Sequence, residues 1–359
     1  MAGVYISYPF CQQKCSFCNF ASNVAPWQTR EQYHKALTAE IGSHVWQWLP
    51  ETVYFGGGTA SLMPPSLFTQ IMAEIPPERL SEITLECAPG TLTKEAVRLW
   101  RQRGVNRISL GVQSFVANEL RTTSRRHTAD TVLQDVQLLR DQGIDNINLD
   151  LIAGLPEQTA RSWEGSLDWI ERLQPPHVSL YIFEQDEDSR LGKELLLGGV
   201  RYGASRMPSE DLLADLYEGA VARLAQLGIE RYEISNFSRV GFESLHNLKY
   251  WKLVPYIGFG LDAHSFDGVR RWNNPDSLAH YLSSPPGRME SVTIDPSEEH
   301  FYVGLRLMQG IEPTEAEWTR FAQPIARWIE AGLLEHDGSR LRLSSAGVLL
   351  SNEIFQEFV

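Results

Sequence analysis

Short apolar segments alternate with amphipathic segments along the first half of the chain. Six segments of four to eight residues are rich in β-branched and aromatic residues, as buried parallel strands are. They are VYISY (4–8), TVYF (52–55), EITLEC (82–87), NRISLGVQ (106–113), INLDLI (147–152) and HVSLYIF (177–183). The pattern predicts an α/β fold with a parallel sheet covered by helices.

The segments between the predicted strands have helical periodicity. In residues 93–104, Thr93 stands where a helix would be capped, Gly104 stands where it would end, and the apolar residues between them share one face. Residues 128–143 repeat this arrangement. Six β-α units are compatible with a partial (β/α)6 TIM-like barrel and with a doubly wound sheet, and periodicity alone does not distinguish the two.

The pattern changes after residue 185 and suggests three regions. We expect a core barrel in residues 1–235, a connecting region in 236–295, and a small C-terminal domain in 296–359. The last region is predicted to contain helices and a β-hairpin that turns at Asp337-Gly338, so it resembles a winged helix.

Composition and charge limit the classes of function. The net charge of −13 opposes binding to nucleic acid or to anionic membranes, and the winged-helix-like end has few basic residues. No apolar run approaches the ~20 residues that span a bilayer, and we see no secretory signal. Four cysteines are too few for a disulfide scaffold. We therefore expect a cytoplasmic protein with no nucleic acid partner and no stable membrane insertion.

Polar residues occur where the predicted strands end. Three cysteines follow the first strand, and Gly56–Thr59 follow the second. Glu86, Gln113 and Asp150 lie at or near the ends of the third, fourth and fifth strands. Because the carboxyl ends of parallel strands meet at one edge, we expect these groups to surround a common site.

Cys11, Cys15 and Cys18 have the spacing C-x3-C-x2-C. Incidental buried thiols are one interpretation, and a zinc site with His34 or His44 as the fourth ligand is another. A third is a four-iron cluster, in which three thiolates leave one iron free to bind a small molecule. The isolated Cys87 is interpreted as a small buried hydrophobic residue.

The cysteine motif resembles that of the radical S-adenosylmethionine (SAM) superfamily. YISYPFCQQKCSFCNF, VYFGGGTASLM, EITLECAPGTL, RISLGVQSF, INLDLIAGLPEQT and HNLKYW together resemble the oxygen-independent coproporphyrinogen III oxidase family and, within it, the heme chaperone subfamily HemW. The resemblance implies a partial (β/α)6 barrel and a [4Fe–4S] cluster on Cys11, Cys15 and Cys18. It also implies SAM on the open iron and an electron donor that reduces the cluster.

The resemblance further implies which residues contact SAM. Arg125 would pair with the carboxylate of SAM, with Arg126 as the neighbouring alternative, and Ala60 replaces a proline that family members often have. The implied SAM contacts are Tyr5, Gly57, Gly58, Thr59, Glu86, Gln113, Arg125 and Asp150.

Three features favour the chaperone branch over the oxidase branch. Phe20 stands where the oxidases have a further cysteine, and the first strand begins by residue 4, so we expect no N-terminal arm. HNLKYW (246–251) matches the motif H-N-x-x-Y-W of the chaperones, which makes His246 a candidate heme ligand. We expect heme as a ligand, unidentified heme-acceptor proteins as partners, and a monomer or weak homodimer. A coproporphyrinogen III oxidase and a zinc-stabilised binding module remain the alternatives.

Overall fold

The structure is a computed structural model that describes residues 2–184, 186–283 and 291–359. Six strands follow one another in the first half of the chain, and each lies within two residues of its predicted bounds. They are β1 (Ala2–Tyr8), β2 (Pro50–Gly57), β3 (Glu82–Cys87), β4 (Arg107–Gln113), β5 (Asn146–Ala153) and β6 (His177–Ile182). Most of their residues are buried, which explains why they read as nearly continuous apolar runs.

The order of these strands distinguishes a barrel from a doubly wound sheet. Strands β1 to β6 pair in chain order, and every pair is parallel. A doubly wound sheet reverses its order at a switch point. Without a reversal, right-handed crossovers place all connecting helices on one face, and the sheet curls around the other. The predicted α/β fold with a partial (β/α)6 barrel is confirmed.

Helices cover the outer face of the curled sheet. They are α1 (Trp27–Gly42), α2 (Pro65–Glu74), α3 (Lys94–Gln102), α4 (Ala117–Thr122), α5 (Ala129–Asp141) and α6 (Ala160–Leu173). Helices α5 and α6 begin with capping boxes at Thr128 and Thr159, which satisfy backbone N–H groups of the first turn. Their buried faces, including Val132, Val136 and Trp163, pack on the sheet.

The region predicted as a connection contributes strands to both edges of the sheet. Strand β9 (Tyr256–Phe259) pairs in parallel with β1, and β10 (His264–Phe266), β11 (Arg270–Asn273) and β12 (Val292–Thr293) continue beyond it. At the other edge, β8 (Asn236–Ser238) pairs with β6 and with β7 (Glu230–Arg231). The helices between residues 190 and 283 are α7 (Arg190–Leu197), α8 (Glu210–Gln226), α9 (Leu245–Trp251) and α10 (Leu278–Ser283).

The C-terminal residues form helices and the expected hairpin. They are α11 (Pro296–Gly304), α12 (Glu315–Arg320), α13 (Ala322–Glu330), β13 (Leu334–Asp337), β14 (Arg340–Leu343), α14 (Ser345–Leu349) and α15 (Ser351–Gln356). Asp337 pairs with Arg340, so the two-residue turn is Gly338-Ser339, one residue later than predicted. This region is joined to the barrel by backbone hydrogen bonds, for example from Met308 N–H to the Tyr232 carbonyl. No helix in the described ranges is long and apolar enough to cross a membrane.

Candidate cofactor site

The loop that carries the three cysteines is fixed at its base and on one side. The Cys11 N–H donates to the Asn23 carbonyl at 2.9 Å, and the Asn23 N–H donates to the Pro9 carbonyl at 2.7 Å. Farther along, the Ser16 N–H donates to the carbonyl of Thr123, which follows α4. These bonds hold the loop across the carboxyl ends of β1 and β4.

All three thiols open on one cavity of about 320 Å³, which we name the rim cavity. Thr59 Oγ1 donates to Cys11 Sγ at 3.5 Å, and Arg125 Nη1 lies 3.4 Å from Cys15 Sγ. The predicted site residues that line the rim cavity are Cys11, Cys15, Cys18, Gly57, Gly58, Thr59, Glu86, Gln113, Arg125 and Asp150. The structure therefore brings together residues from the ends of five successive strands.

Burial raises the pKa of Cys11 and of Cys18 above the ordinary thiol value. A thiol must lose its proton to become a metal ligand, so metal binding at this site would release protons. The Thr59 hydroxyl beside Cys11 favours the thiolate form of that residue.

The arrangement of the thiols fits a cluster. Within the described ranges, no group of three or more His, Cys, Asp or Glu side chains is spaced to hold one metal ion. In a four-iron cluster each thiolate binds a different iron, so the ligands surround the cluster and need not converge on one point. Three thiols around one cavity match that donor set.

The two histidines considered as a fourth zinc ligand lie elsewhere. His34 stacks on the Tyr8 ring with centroids 5.9 Å apart, and His44 packs edge-on against Trp46. Neither histidine lines the rim cavity. Cys87 is buried at 4% exposure, as expected for a small apolar residue, although it reaches the cavity wall.

The glycine-rich loop after β2 packs tightly against the cysteine loop. The Gly58 N–H donates to the Tyr8 carbonyl at 2.9 Å, and the Thr59 N–H donates to the Phe10 carbonyl at 3.1 Å. A Cβ atom on Gly58 would lie 2.7 Å from the carbonyl carbon of Pro9, closer than real Cβ contacts. The loop needs glycine here because two backbones are in direct contact.

Two carboxylates lie on the barrel's inner wall beneath the cavity. The Tyr54 hydroxyl donates to Glu86 Oε1 at 2.8 Å, and burial raises the pKa of Glu86 to about 7. Asn148 Nδ2 donates to Asp150 Oδ1 at 2.7 Å, and burial raises the pKa of Asp150 as well. A cationic ligand would stabilise the ionised forms of both groups.

Gln113 and Arg125 carry polar atoms that lack partners. Gln113 ends β4 at a register irregularity and has a φ of +70°, a strained value for a non-glycine residue. Gln113 Oε1 and Arg125 Nε are buried and have no hydrogen-bond partner among the described residues. Unsatisfied buried atoms in a cavity wall are the atoms that a polar ligand would satisfy. Arg126, the alternative, is exposed and does not line the cavity.

Two predicted site residues lie outside the rim cavity. Tyr5 lines a neighbouring cavity, because its position on β1 is several residues before the strand's carboxyl end. His246 is 1% exposed and lies on the buried face of α9. Its Nδ1 is 2.8 Å from Thr52 Oγ1 and its Nε2 is 2.8 Å from the Tyr250 hydroxyl. In this arrangement neither nitrogen is available to an iron atom, which differs from the sequence-based expectation.

The neighbouring cavity, which we name the aromatic chamber, was not predicted. It has a volume of about 640 Å³ and shares Gly57 and Phe20 with the rim cavity. Its aromatic wall consists of Tyr5, Phe20, Tyr250, Trp251, Tyr256 and Tyr302. The H-N-x-x-Y-W motif was the only local signal for it, since Tyr250 and Trp251 are the last two residues of that motif. Part of the remaining wall follows the motif in β9 to β11, and the rest comes from β1, β2, the cysteine loop and α11, which are distant in sequence.

Comparison with known proteins agrees with the fold and the cysteine motif. Residues 5–170 match the model of the radical SAM superfamily, and residues 294–350 match the HemN C-terminal domain. Several proteins named heme chaperone HemW are similar over almost the whole chain. The one from Lactococcus lactis is 34% identical over 99% of this chain and 96% of its own, and the one from Bacillus subtilis is 31% identical over 100% and 99%.

A solved structure has the same architecture. The radical SAM enzyme coproporphyrinogen III oxidase (HemN) from Escherichia coli superimposes with a TM-score of 0.85, over 99% of this chain and 89% of the other. The two sequences are 22% identical, so the likeness concerns the fold. The sequence relatives place the chain more narrowly: it belongs to the HemW family of the radical SAM superfamily.

Proposed function

We propose that this protein binds a [4Fe–4S] cluster, SAM and heme, and that it transfers heme to acceptor proteins. The observation that carries the proposal is the contact between two cavities of different chemistry. The rim cavity has three thiols and unsatisfied polar groups, whereas the aromatic chamber has a wall of ring side chains. Gly57 and Phe20 belong to both walls.

Cys11, Cys15 and Cys18 would hold the cluster, and the remaining iron would supply a Lewis-acidic position and an electron to SAM. The backbone of Gly57 and Gly58 allows close approach of a polar ligand. Arg125 would bind a carboxylate, and its unpaired Nε supports this role. Glu86 and Asp150 would face the cationic part of the ligand, whose charge favours their ionised forms.

The aromatic chamber is suited to a flat apolar macrocycle. Its volume of about 640 Å³ is in the range of cavities that hold cofactor-sized ligands. Tyr250 and Tyr256 pack edge-to-face with centroids 4.6 Å apart, which gives the wall a fixed shape. His246 contributes indirectly in this proposal, since its Nε2 holds the Tyr250 hydroxyl in place.

Trp251 provides a second indication of a ligand in the chamber. Its indole Nε1 is buried and has no hydrogen-bond partner among the described residues. The Arg306 guanidinium lies 4.5 Å from the centroid of the Trp251 ring and fixes the indole. An acidic substituent of a bound tetrapyrrole would satisfy the unpaired N–H.

Anaerobic reconstitution tests the cluster. We expect the wild-type protein to bind about four irons and to show a broad visible absorption. Cys11→Ser should lose that absorption, whereas the matched variant Cys87→Ser should keep it, because Cys87 is not one of the three loop thiols. One bound zinc and no iron in the wild-type protein would refute this part of the proposal.

Heme titration tests the part of the proposal that concerns heme binding and transfer. We expect hemin to give a Soret band with the wild-type protein, and coproporphyrinogen III to remain unconverted in the presence of SAM and a reductant. Conversion of coproporphyrinogen III without hemin binding would instead support the oxidase alternative. Transfer of bound heme to an apo-hemoprotein, followed by absorption, would complete the test.

The remaining parts of the proposal concern the cellular setting. We expect the protein to act in the cytoplasm, to receive electrons from a reductant protein, and to function as a monomer or weak homodimer. The net charge of −13 supports the absence of a nucleic acid partner, since polyanions are repelled at long range. Sedimentation at several concentrations would determine the oligomeric state.

A further inference from the structure

The histidine that opens on the aromatic chamber is His264, at the start of β10. It is the one imidazole among the described residues of the chamber wall, and its side chain is 67% exposed. His246, by contrast, is buried and has both ring nitrogens hydrogen-bonded. The accessible imidazole and the motif imidazole are therefore different residues.

We infer that His264 is the axial ligand of the iron of a heme bound in the aromatic chamber. This inference rests on the proposed function, because it requires heme in that chamber. Neutral imidazole is a common axial ligand of heme iron, and the side chain must reach the ligand without breaking existing contacts. His264 meets the second condition, since its side chain is 67% exposed and the Asp262 carboxylate next to it lies 3.8 Å away, beyond hydrogen-bond distance.

The turn before His264 is held in one conformation by buried hydrogen bonds. The Gly260 N–H donates to Glu40 Oε2 at 2.9 Å, and the Leu261 N–H donates to the Tyr33 hydroxyl at 3.1 Å. Asn274 Nδ2 donates to the Gly260 carbonyl at 2.8 Å. A ligand that is presented from such a turn is positioned before heme arrives, which limits the entropy lost on binding.

Close packing also fixes the turn. Gly260 has a φ of +94°, and a Cβ atom there would lie 2.4 Å from the Tyr33 hydroxyl. Two residues later, Asp262 has a φ of +55°, which is strained for a non-glycine residue. Backbone strain next to an exposed imidazole is typical of a functional site, because the surrounding structure must maintain it.

A carboxylate lies beside the imidazole. Asp262 Oδ1 is 3.8 Å from His264 Nε2, and both side chains line the chamber. Histidines that bind metal usually donate their second N–H to a carboxylate or carbonyl. At 3.8 Å the two groups do not form a hydrogen bond. A shift of the Asp262 side chain toward Nε2 would let it orient the ring, and Nδ1 would then be the nitrogen that faces the iron.

Two phenols of the chamber, those of Tyr250 and Tyr256, are less suitable ligands. The Tyr256 hydroxyl accepts a hydrogen bond from Arg271 Nη1 at 2.8 Å, and the Tyr250 hydroxyl is bound to His246. A tyrosine must also lose its proton to bind iron, and burial raises the pKa of Tyr250 above the ordinary phenol value. A neutral imidazole such as that of His264 can bind iron without first losing a proton.

The test compares hemin titrations of the cluster-containing, full-length wild-type protein with those of His264→Ala. We expect His264→Ala to weaken hemin binding by about tenfold or more and to change the Soret position and the iron spin state. Added imidazole should restore the wild-type spectrum, because it can occupy the space that the side chain leaves. His280→Ala removes an exposed histidine of α10 that does not line the chamber, and it should behave as the wild type.

The possible outcomes separate this inference from the proposed function. A wild-type protein that binds no hemin would overturn both. If the wild-type protein binds hemin and His264→Ala keeps the same affinity and spectrum, the inference alone is overturned. A loss of binding that imidazole does not restore would also exclude iron ligation by His264, while unchanged iron content of the cluster would show that His264→Ala is folded.

Discussion

Glu86 should make the stability of the cluster-free protein depend on pH. Its carboxyl group lies on the inner wall of the barrel, where burial raises its pKa from 4.5 to about 7. Below pH 4.5 the group is protonated in both the folded and the unfolded chain, so its ionisation does not lower the free energy of unfolding. Between those two values the unfolded chain ionises first, so the free energy of unfolding falls. Above pH 7 the loss is complete.

The size of the effect follows from the two pKa values. Each pH unit between them is worth about 1.4 kcal/mol, so the wild-type protein should lose roughly 3 kcal/mol of stability. Glu86→Gln cannot ionise, and its amide can still accept the hydrogen bond from Tyr54. Relative to the wild type, this variant should therefore gain roughly 3 kcal/mol when the pH rises from about 4.5 to about 8.

Urea unfolding of both proteins at about pH 5 and about pH 8, in reducing buffer without iron, measures this difference. Buried carboxylates that do not interact with Glu86 titrate equally in the two proteins and cancel in the comparison. Asp150, whose charge helps to raise the pKa of Glu86, is coupled to it, so the measured difference includes that coupling. Glu78→Gln is the matched control, because Glu78 is exposed. A stability difference between wild type and Glu86→Gln that is the same at both pH values would refute the reasoning.

Three substitutions test other parts of the structure. Gly58→Ala would place a Cβ atom 2.7 Å from the Pro9 carbonyl carbon, so we expect a cost of roughly 1–3 kcal/mol in urea unfolding and a lower iron content after reconstitution. Arg125→Lys replaces a fork of donors by a point charge and should weaken SAM binding in calorimetry by about tenfold or more, whereas Arg126→Lys should leave it unchanged. Trp163→Phe removes the buried indole N–H that donates to a backbone carbonyl at 2.8 Å, and should cost roughly 1–3 kcal/mol in urea unfolding without changing hemin affinity.

The strands could be predicted from the sequence because the apolar composition of each short segment indicates that it is buried. Parallel strands covered by helices are apolar on both faces, and the six segments are separated by residues with helical periodicity. The curvature of the sheet could not be predicted in this way, because it depends on which strands pair. The parallel pairing of β9 with β1 joins residues about 250 positions apart, for example Gly3 with Tyr256. No local pattern records such a pairing.

The site, like the fold, was predictable only in part. The rim cavity is built from residues next to strand ends, so chain position was a good guide to location. The motif does not indicate the direction of its side chains, so the burial of His246 on α9 could not be predicted from it. The aromatic chamber combines β1, α9, β10 and α11, and its imidazole, His264, has no motif around it that reasoning from one sequence would single out.

Phe20 shows how one position can relate the two cavities. In the sequence, Phe20 is notable only because it stands where the oxidases have a further cysteine. In the structure its ring is 65% exposed and lines both the rim cavity and the aromatic chamber. Its carbonyl accepts hydrogen bonds from Lys14 Nζ at 2.9 Å and from the Ser22 N–H at 2.6 Å, which fixes the backbone of the cysteine loop at this point. A phenyl ring here extends the apolar wall of the chamber to the edge of the thiol site, whereas a thiol would add a fourth polarizable sulfur beside it. Phe20 therefore supplies apolar surface at the boundary between the two cavities, which agrees with the proposal that a flat ligand binds next to a cluster.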